Sequence, residues 1–460
     1  MDTLIISISG MRGIVGNSLD AAVASEYGMA FGSFLKQQKP AYEKPKICIG
    51  RDSRPSGPML AAALSAGLMA CGCDTIDLGI VTTPGVALMT RYLGCDGGVV
   101  ITASHNPVQW NGIKLLRHDG IAFPADQVKS IQQRYFDKQF DTLDSLHVGG
   151  SHSENRSHDV HLESILKICD QELIASKDFK VVLDSVNGAG CVVTPRLLAA
   201  LGCEVIHLNS EPTGIFAHTP EPTADNLAEL GPQILKYSAT IGFAQDPDAD
   251  RLAVIDEKGK YIGEEYTLAL AAKYIFSKIK GTAAVNLSTS RMIDDLAVSS
   301  ECSVIRTPVG EAHVANTMLA ENCVIGGEGN GGIIDLRVVP VRDSLVGIAL
   351  VLQLMAETGK TVSQLVREIP AYHMIKTKFP CLQDKAQTVL ARVKEHYAKQ
   401  NQDEVRIDTR DGIRVDLPQG WVQLRTSNTE PIMRIIAEST EISQTQRLIA
   451  EIQSLTGNLS

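Results

Sequence analysis

Short apolar runs alternate with longer helical stretches along most of the chain, the pattern of an α/β protein. Strand-like runs include Lys46–Ile49, Gly98–Thr102, Lys180–Leu183, Thr240–Phe243 and Val324–Ile325. Helix-like runs include Met59–Met69, Glu265–Phe276, Ser344–Glu357 and Ile442–Leu455. Polar, Gly/Ser/His-rich sequence over Asp141–His158 reads as a linker, and a fresh strand–helix unit is expected to begin near Val160. Further boundaries are expected near Asp256–Gly259, after a strand ending in a Lys-Gly turn, and near Pro370, where a helix stops. From about Tyr372 the pattern mixes helix and short strands, as in a small α+β domain. Three times an apolar run passes straight into a polar loop: GGVVITASHNP, ATIGFAQDPDADR and NCVIGGEGNGG. Ligands of α/β sheets bind at the carboxyl ends of strands. The three loops therefore predict three similar domains facing one cleft, a repeat of architecture without strong residue-by-residue similarity.

Composition narrows the class. At 460 residues the length alone suggests about three domains. With 44% hydrophobic and 21% charged residues the chain can bury several cores, which excludes disorder as its main state. A net charge of −10 argues against nucleic acid or an anionic membrane as partner. Phosphate binding would then depend on local arginines, loops and metal. The ten cysteines are scattered, and Cys71-x-Cys73, without a second pair, is a poor zinc signature. Reduced, buried thiols in a cytoplasmic protein are expected. The start, MDTLIISISG, lacks the basic and long apolar segments of a signal peptide, and no run reaches the ~20 apolar residues of a membrane helix.

Four loops carry candidate chemistry. In TASHNP, Ser104 at a strand end beside His105 and Asn106 is a candidate nucleophile, or else part of a strand-ending turn. A hydrolase triad is disfavoured, since adjacent side chains diverge and G-x-S-x-G is absent. Lys114 in the strand-like WNGIKLL reads as an acid/base or as a solvated edge residue. In DPDADR, Asp246, Asp248 and Asp250 alternate along what reads as extended chain, so their carboxylates project to one side and suit Mg²⁺. Two rivals are an EF-hand, with Glu257 at position 12 but Arg251 where the turn glycine belongs, and an aspartyl-phosphate enzyme. In GGEGNGG, Glu328 and Asn330 stand on bare backbone, an arrangement suited to sugar hydroxyls. In RTSNTEP, Arg425 with Ser427, Asn428 and Thr429, and Arg434 beyond, form a phosphate cradle or equally a helix N-cap. Arg12, Arg51 and Arg54 are further basic residues in Gly/Ser-rich loops. Gly359-Lys360-Thr361 resembles the end of a Walker A loop, but Leu354 replaces the first glycine, so Gly359 is read as a helix C-cap.

In order, SGMRG, GRDSRPSG, TASHNP, QWNGIK, VVLDSVNGAG, PEPT, DPDADR, GGEGNGG and RTSNTEP span nearly the whole chain. Taken together they resemble the α-D-phosphohexomutases, the family of phosphoglucomutases, phosphomannomutases and phosphoglucosamine mutases. The resemblance implies three similar mixed α/β domains and a small C-terminal α+β domain around one deep cleft. Its expected divisions are 1–150 for the phosphoserine, 159–256 for the metal, 257–369 for the sugar and 372–460 for the phosphate. It implies an isomerase that carries a phosphoryl group on Ser104 and works through a hexose 1,6-bisphosphate, which also serves as activator. One Mg²⁺ would sit on Asp246, Asp248 and Asp250 with a phosphoryl oxygen on Ser104. Arg12, His105 and Lys114 match residues around the phosphoserine, and Arg251 one flanking the metal. Arg425, Ser427, Asn428 and Thr429 match the anchor for the non-reacting phosphate. Asn330 replaces the serine of many members, and Gly332 stands where some carry histidine, so no proton-transfer role carries over there. Glu-x-Asn-Gly-Gly is similar to phosphoglucosamine mutase-like members, which implies conversion of glucosamine 6-phosphate to the 1-phosphate, with mannose or glucose phosphates as the alternative. A monomer or homodimer acting on a hexose phosphate is expected. The rival classes are an aspartyl-phosphate phosphatase or mutase and a non-catalytic sugar-phosphate binder.

Overall fold

The computed structural model describes residues 4–7, 10–40, 43–400, 405–426 and 432–456. Two compact units emerge: residues 1–274 with 330–366, and residues 275–329 with 367–460.

In the first unit a seven-stranded sheet runs Ile5–Ser7, Gly10–Ile14, Trp110–Arg117, Gly97–Ile101, Lys46–Arg51, Asp74–Ile80, Ser151–Ser153. Its inner strands Gly97–Ile101, Lys46–Arg51 and Asp74–Ile80 are parallel. Gly97–Ile101 is buried at every position, which is why it reads as one continuous apolar run rather than an alternating one. A four-stranded sheet follows, ordered Leu252–Ile255, Ile241–Gln245, Lys180–Asp184, Glu204–Leu208. Ile241–Gln245 is likewise buried throughout and parallel to Lys180–Asp184. Both central strands end at a polar loop, the first at Thr102–Pro107 and the second at Asp246–Arg251. The helix Ser344–Thr358 is buried from Ser344 to Ala356, capped at one end by Asp343 and at the other by Gly359. Gly359 has φ +65°, the left-handed C-cap expected for it, so no Walker loop exists there.

In the second unit Ser303–Thr307, Thr282–Asn286 and Ile325–Glu328 form a parallel arrangement with Thr282–Asn286 in the middle. Glu328 ends the last of these strands. The C-terminal part is a five-stranded antiparallel sheet, ordered His373–Pro380, Ile432–Ser439, Gly420–Thr426, Ile413–Leu417, Arg406–Asp408. The helices Gln383–Ala398 and Ile442–Thr456 complete it, with a core that includes Val389, Val393, Leu424, Ile435 and Leu448.

Two expectations fail locally. The linker over Asp141–His158 contains a strand, Ser151–Ser153, paired with Thr75–Asp77, and the helix Ser157–Leu166 begins inside it. All three strand residues are exposed, so backbone pairing alone holds the strand and no apolar pattern marks it. The unit near Val160 opens with that helix, and its first strand comes only at Lys180.

Candidate active site

The loop after Gly97–Ile101 is held from beneath. Arg54 and Asp52 are fully buried and paired, Nε to Oδ2 at 2.9 Å. The rest of the Arg54 fork donates to four backbone carbonyls: Ser104 at 2.6 Å, Asn106 at 2.7 Å, Pro107 at 2.8 Å and Trp110 at 3.1 Å. Burial pushes the Asp52 carboxyl up, and Arg54 and Thr102 partly offset this. The Thr102 hydroxyl donates to Asp52 at 2.6 Å and accepts from the Ser104 N–H at 2.9 Å. Arg54, grouped by sequence with residues free to meet a phosphate, instead spends its donors on the loop. So clamped, Ser104 sits at φ +49°, a left-handed conformation that costs a non-glycine residue about 1–2 kcal/mol.

The clamp presents the Ser104 hydroxyl to the second polar loop. Its Oγ donates to Asp246 Oδ2 at 3.1 Å and lies 3.4 Å from His105 Nδ1. Adjacent side chains do meet here, because the left-handed turn at Ser104 swings them together. Asp246, Asp248 and Asp250 do not alternate along extended chain as expected. They wrap a tight turn in which Ala249 has φ +55° and Asp246 Oδ1 accepts from the Asp250 and Arg251 N–H groups. The turn still gathers one oxygen of each carboxylate within 4.8 Å, all three residues being buried. Asp248 Oδ2 accepts from Thr83 at 2.6 Å and Lys114 at 2.8 Å, and Asp250 Oδ2 from Arg342 at 2.6 Å. Asp248 Oδ1 and Asp250 Oδ1 are buried with no hydrogen-bond partner. Orphaned anionic oxygens are costly to bury, and a hard divalent cation with oxygen ligands satisfies them. The residues present therefore fit a Mg²⁺-type ion. Glu257 is bonded to Thr361 and Ser363, which removes it from this loop and with it the EF-hand reading.

The charges divide unequally. Burial, then Asp248 and Asp250, drive the Asp246 carboxyl well above the usual range. Burial opposes ionisation of Asp248 too, but Lys114 and Thr83 outweigh it and hold that carboxyl far down. Lys114 is pulled down by burial and raised more by Asp248 and Asp250, so it is a firmly charged ammonium rather than a solvated edge residue. Burial, with Arg251 and Arg12 nearby, lowers His105 to about 3, leaving a neutral imidazole at pH 7. Arg12 Nη1 donates to Asn106 Oδ1 at 3.0 Å, and Arg251 lies 3.5 Å from Glu221.

Two side chains escaped the sequence reading, and one quoted motif was given no role there. Thr83 opens the helix Thr83–Tyr92, just after the strand Asp74–Ile80. Arg342 stands just before the helix at Ser344, and nothing in its local pattern marks it. In VVLDSVNGAG the residues Val186 and Asn187 have φ +46° and +54°, and Ala189 N–H donates to Pro247 O at 2.8 Å. That loop buttresses the aspartate turn so closely that a Cβ on Gly188 would lie 2.7 Å from Pro247 O.

In the second unit Glu328 is buried, and its Oε1 accepts from Asn286 Nδ2 at 2.8 Å and Gly310 N–H at 3.2 Å. Asn330, which belongs to the first unit, accepts on Oδ1 from the Gly332 N–H. Arg425 pairs in register with exposed Arg434 on antiparallel strands. Burial and Arg434 together lower its pKa, and its buried Nε has no hydrogen-bond partner. Ser427, Asn428 and Thr429 lie outside the described residues. They fall between the strands Gly420–Thr426 and Ile432–Ser439.

A strand-end serine facing a buried carboxylate trio, with a charged lysine and arginines around it, is a site for moving phosphoryl groups. Comparison with known proteins agrees. Models of the phosphoglucomutase/phosphomannomutase family match four consecutive stretches: α/β/α domain I at residues 4–142, domain II at 159–259, domain III at 264–372 and the C-terminal domain at 376–455. The chain belongs to this family of phosphohexomutases, and its architecture has four domains where length alone suggested three. A phosphoglucomutase/phosphomannomutase of Thermococcus kodakarensis is 39% identical over 435 residues, 94% of this chain and 93% of that protein. A probable phosphoglucosamine mutase of Methanopyrus kandleri is 37% identical over 442 residues, 96% and 95% of the two chains. The solved structure of a phosphoglucomutase/phosphomannomutase family protein from Burkholderia thailandensis superimposes with a TM-score of 0.86 at 27% identity, covering 98% of each chain. No helix among the described residues is long and apolar enough to cross a membrane.

Arg54 yields a prediction. Arg54→Met leaves Asp52 buried without a counter-charge and four carbonyls without a donor, at an expected cost of about 3–5 kcal/mol. Arg54→Lys keeps the charge but not the planar fork. It should melt between wild type and Arg54→Met and lower kcat more than it raises KM. Thermal unfolding and steady-state kinetics check this. A lysine variant matching wild type in both would refute the clamp.

Proposed function

We propose that this chain interconverts hexose 6-phosphates and hexose 1-phosphates, with Ser104 as the phosphoryl carrier. The observation that supports it is the Ser104 hydroxyl, held in a strained turn 3.1 Å from Asp246, beside two buried carboxylate oxygens without partners. In the forward half-reaction the bond between phosphorus and Ser104 Oγ breaks as one forms to a substrate hydroxyl. The substrate hydroxyl's proton goes to a neighbouring base, the leaving Ser104 Oγ takes up a proton, and a 1,6-bisphosphate results. After the bisphosphate reorients, its other phosphoryl group returns to Ser104, whose hydroxyl gives up its proton, and the product oxygen left behind gains one. Lys114, Arg12 and Arg251 supply positive charge, and His105, whose surroundings disfavour a protonated imidazole, would line the site as a neutral ring beside the Ser104 hydroxyl. A Mg²⁺ on Asp246, Asp248 and Asp250, with an oxygen of the Ser104 phosphoryl group, would neutralise charge on the transferring group. Arg425, Arg434 and Ser427–Thr429 would grip the phosphate that is not reacting, and Glu328 and Asn330 the sugar hydroxyls. The functional divisions proposed are 1–150, 159–256, 257–369 and 372–460, in the order phosphoserine, metal, sugar and phosphate.

Ser104→Ala should fold normally, carry no phosphate by intact-protein mass spectrometry, and lose mutase activity by several orders of magnitude. Near-normal turnover would instead favour an aspartyl nucleophile such as Asp246.

Metal binding should release a proton. With its pKa raised by burial and by Asp248 and Asp250, the Asp246 carboxyl holds its proton to higher pH than an ordinary carboxyl, and a bound cation competes with that proton. Below that pKa, apparent Mg²⁺ affinity should fall by up to about tenfold per pH unit. Calorimetric titration in two buffers of different ionisation enthalpy reads the released proton directly. Equal heats in both buffers, or full activity in excess chelator, would remove the metal from this site.

Glucosamine 6-phosphate is proposed as the preferred substrate. The Glu-x-Asn-Gly-Gly loop and the relative named probable phosphoglucosamine mutase support it, while the Thermococcus relative supports glucose and mannose phosphates. A single ring substituent shifts kcat/KM by only about 1–3 kcal/mol, so all three sugars should turn over. The ranking of kcat/KM for the three phosphates under one set of conditions decides. A tenfold advantage for glucose or mannose phosphate overturns the amino-sugar preference and leaves the mutase reading standing.

A further inference from the structure

A cavity of about 600 Å³ opens within the second unit, walled by chain from both sides of residue 330. Five arginines line it: Arg291, Arg306, Arg406, Arg410 and Arg414. None belongs to the proposed sugar or phosphate residues. Among the described residues three carboxylates oppose them, Asp294, Asp408 and Asp416, so that lining carries two cations more than anions in a chain whose net charge is −10.

The pairing is uneven. Arg306 is tied to Asp294 and to the carbonyls of Asn286, Thr289 and Ser290, and Arg410 to Asp408. Asp416 serves two arginines, Arg291 at 2.9 Å and Arg414 at 2.9 Å. Arg414 is almost fully buried, and burial together with Arg306 pulls its pKa down to about 10. Burying a guanidinium beside another cation is costly, and an added anion relieves it. At the mouth Arg406 and Arg410 are exposed, and among the described residues Arg406 has no carboxylate partner. Planar forks at the mouth and deeper in the wall suit tetrahedral oxyanions, taken two at a time.

We propose that this cavity is a second anion site, distinct from the sugar-phosphate site, and that it binds a diphosphate group. A reporter is built in. Arg414 stacks on Trp421, its Cζ 4.0 Å from the ring centroid, and Trp421 is one of only two tryptophans. A ligand that draws on Arg414 changes the surroundings of that indole.

The test uses the full chain in chelator, with inorganic pyrophosphate as probe and Trp110→Phe as background, so that Trp421 alone emits. Saturable change of Trp421 emission is expected, and calorimetry on the unmodified protein should show the same binding should the background variant fold poorly. Arg406→Ala with Arg410→Ala should weaken this binding at least tenfold while leaving mutase turnover unchanged. Arg425→Ala should leave it intact. A nucleoside diphosphate run in parallel separates an organic from an inorganic diphosphate: tighter binding of the nucleotide assigns the remaining cavity volume to its organic part, and equal or weaker binding leaves the inorganic ion as ligand. No saturable binding up to millimolar pyrophosphate, unchanged binding in the double variant, or loss of binding in Arg425→Ala would overturn the proposal.

Discussion

Three carboxylates buried within 4.8 Å of one another set the terms for the first unit. Like charges at that separation in a poorly solvated site repel by several kcal/mol, so the fold must supply opposite charge or give up ionisation. It does both. Lys114 and Thr83 hold Asp248 ionised, Arg342 pairs with Asp250, and Asp246 is driven toward its protonated form. Each of these partners reaches the trio from a different element: Lys114 from within the strand Trp110–Arg117, Thr83 from the start of the helix Thr83–Tyr92 and Arg342 from just before the helix Ser344–Thr358. The sheets, with their parallel inner strands, therefore have the job of bringing those elements to one edge. Among the described residues two carboxylate oxygens are left without hydrogen-bond partners even so, with the charged Arg251 Nε 3.8 Å from one of them, Asp250 Oδ1. Unmet demand of this kind suits a divalent cation.

Backbone strain is the second cost, and it is borne by buried hydrogen bonds. Ser104, Val186, Asn187 and Ala249 all adopt left-handed conformations without being glycine, and all lie in the loops around the trio. A β-branched residue such as Val186 is a genuine outlier there. Strain of this kind persists only where the surroundings over-determine it. At Ser104 the surroundings are the Arg54 fork and the Thr102–Asp52 pair; at Val186, a turn in which its own N–H donates to the Asp184 carboxylate at 2.9 Å. Asp184 is fixed in turn by Asn209 and His218. The precision of the serine hydroxyl thus rests on residues that never meet a ligand.

This division explains what was legible in the sequence. Ser104, His105 and the three aspartates were readable because each follows a strand end, and Lys114 because a charged residue interrupts the strand Trp110–Arg117, all with chemistry no packing role requires. The structure brings these six together. The central strands were readable because burial on both faces writes an unbroken apolar run. The strand Ser151–Ser153 was not, since exposed polar residues pair there through backbone alone. Arg54 was given no role because an arginine in a Gly/Ser-rich loop carries the same local pattern whether it faces a phosphate or four carbonyls. Arg342 was invisible because its role exists only across 92 residues of chain, in a pairing no local spacing encodes.

The sugar is the least legible element, for a physical reason. Glu328 is pinned by Asn286 and the Gly310 N–H, and Asn330 spends its carbonyl oxygen on the Gly332 N–H. Both side chains are thereby fixed in position, and the sugar contacts proposed for them would be made from fixed points. A mutase must hold its hexose in two orientations, with either phosphate at the reacting end. A residue that contacts the 2-substituent in one orientation faces another part of the ring in the second. Such contacts favour groups common to both views, the ring hydroxyls, over the group that distinguishes glucosamine from glucose or mannose. Discrimination of a 2-amino group from a 2-hydroxyl then falls to differences of about 1–3 kcal/mol spread over the site. Related chains with the same carboxylate-bearing fold can therefore carry different sugar names at 37–39% identity to this one, while the phosphoryl chemistry, set by the buried charges, stays the same.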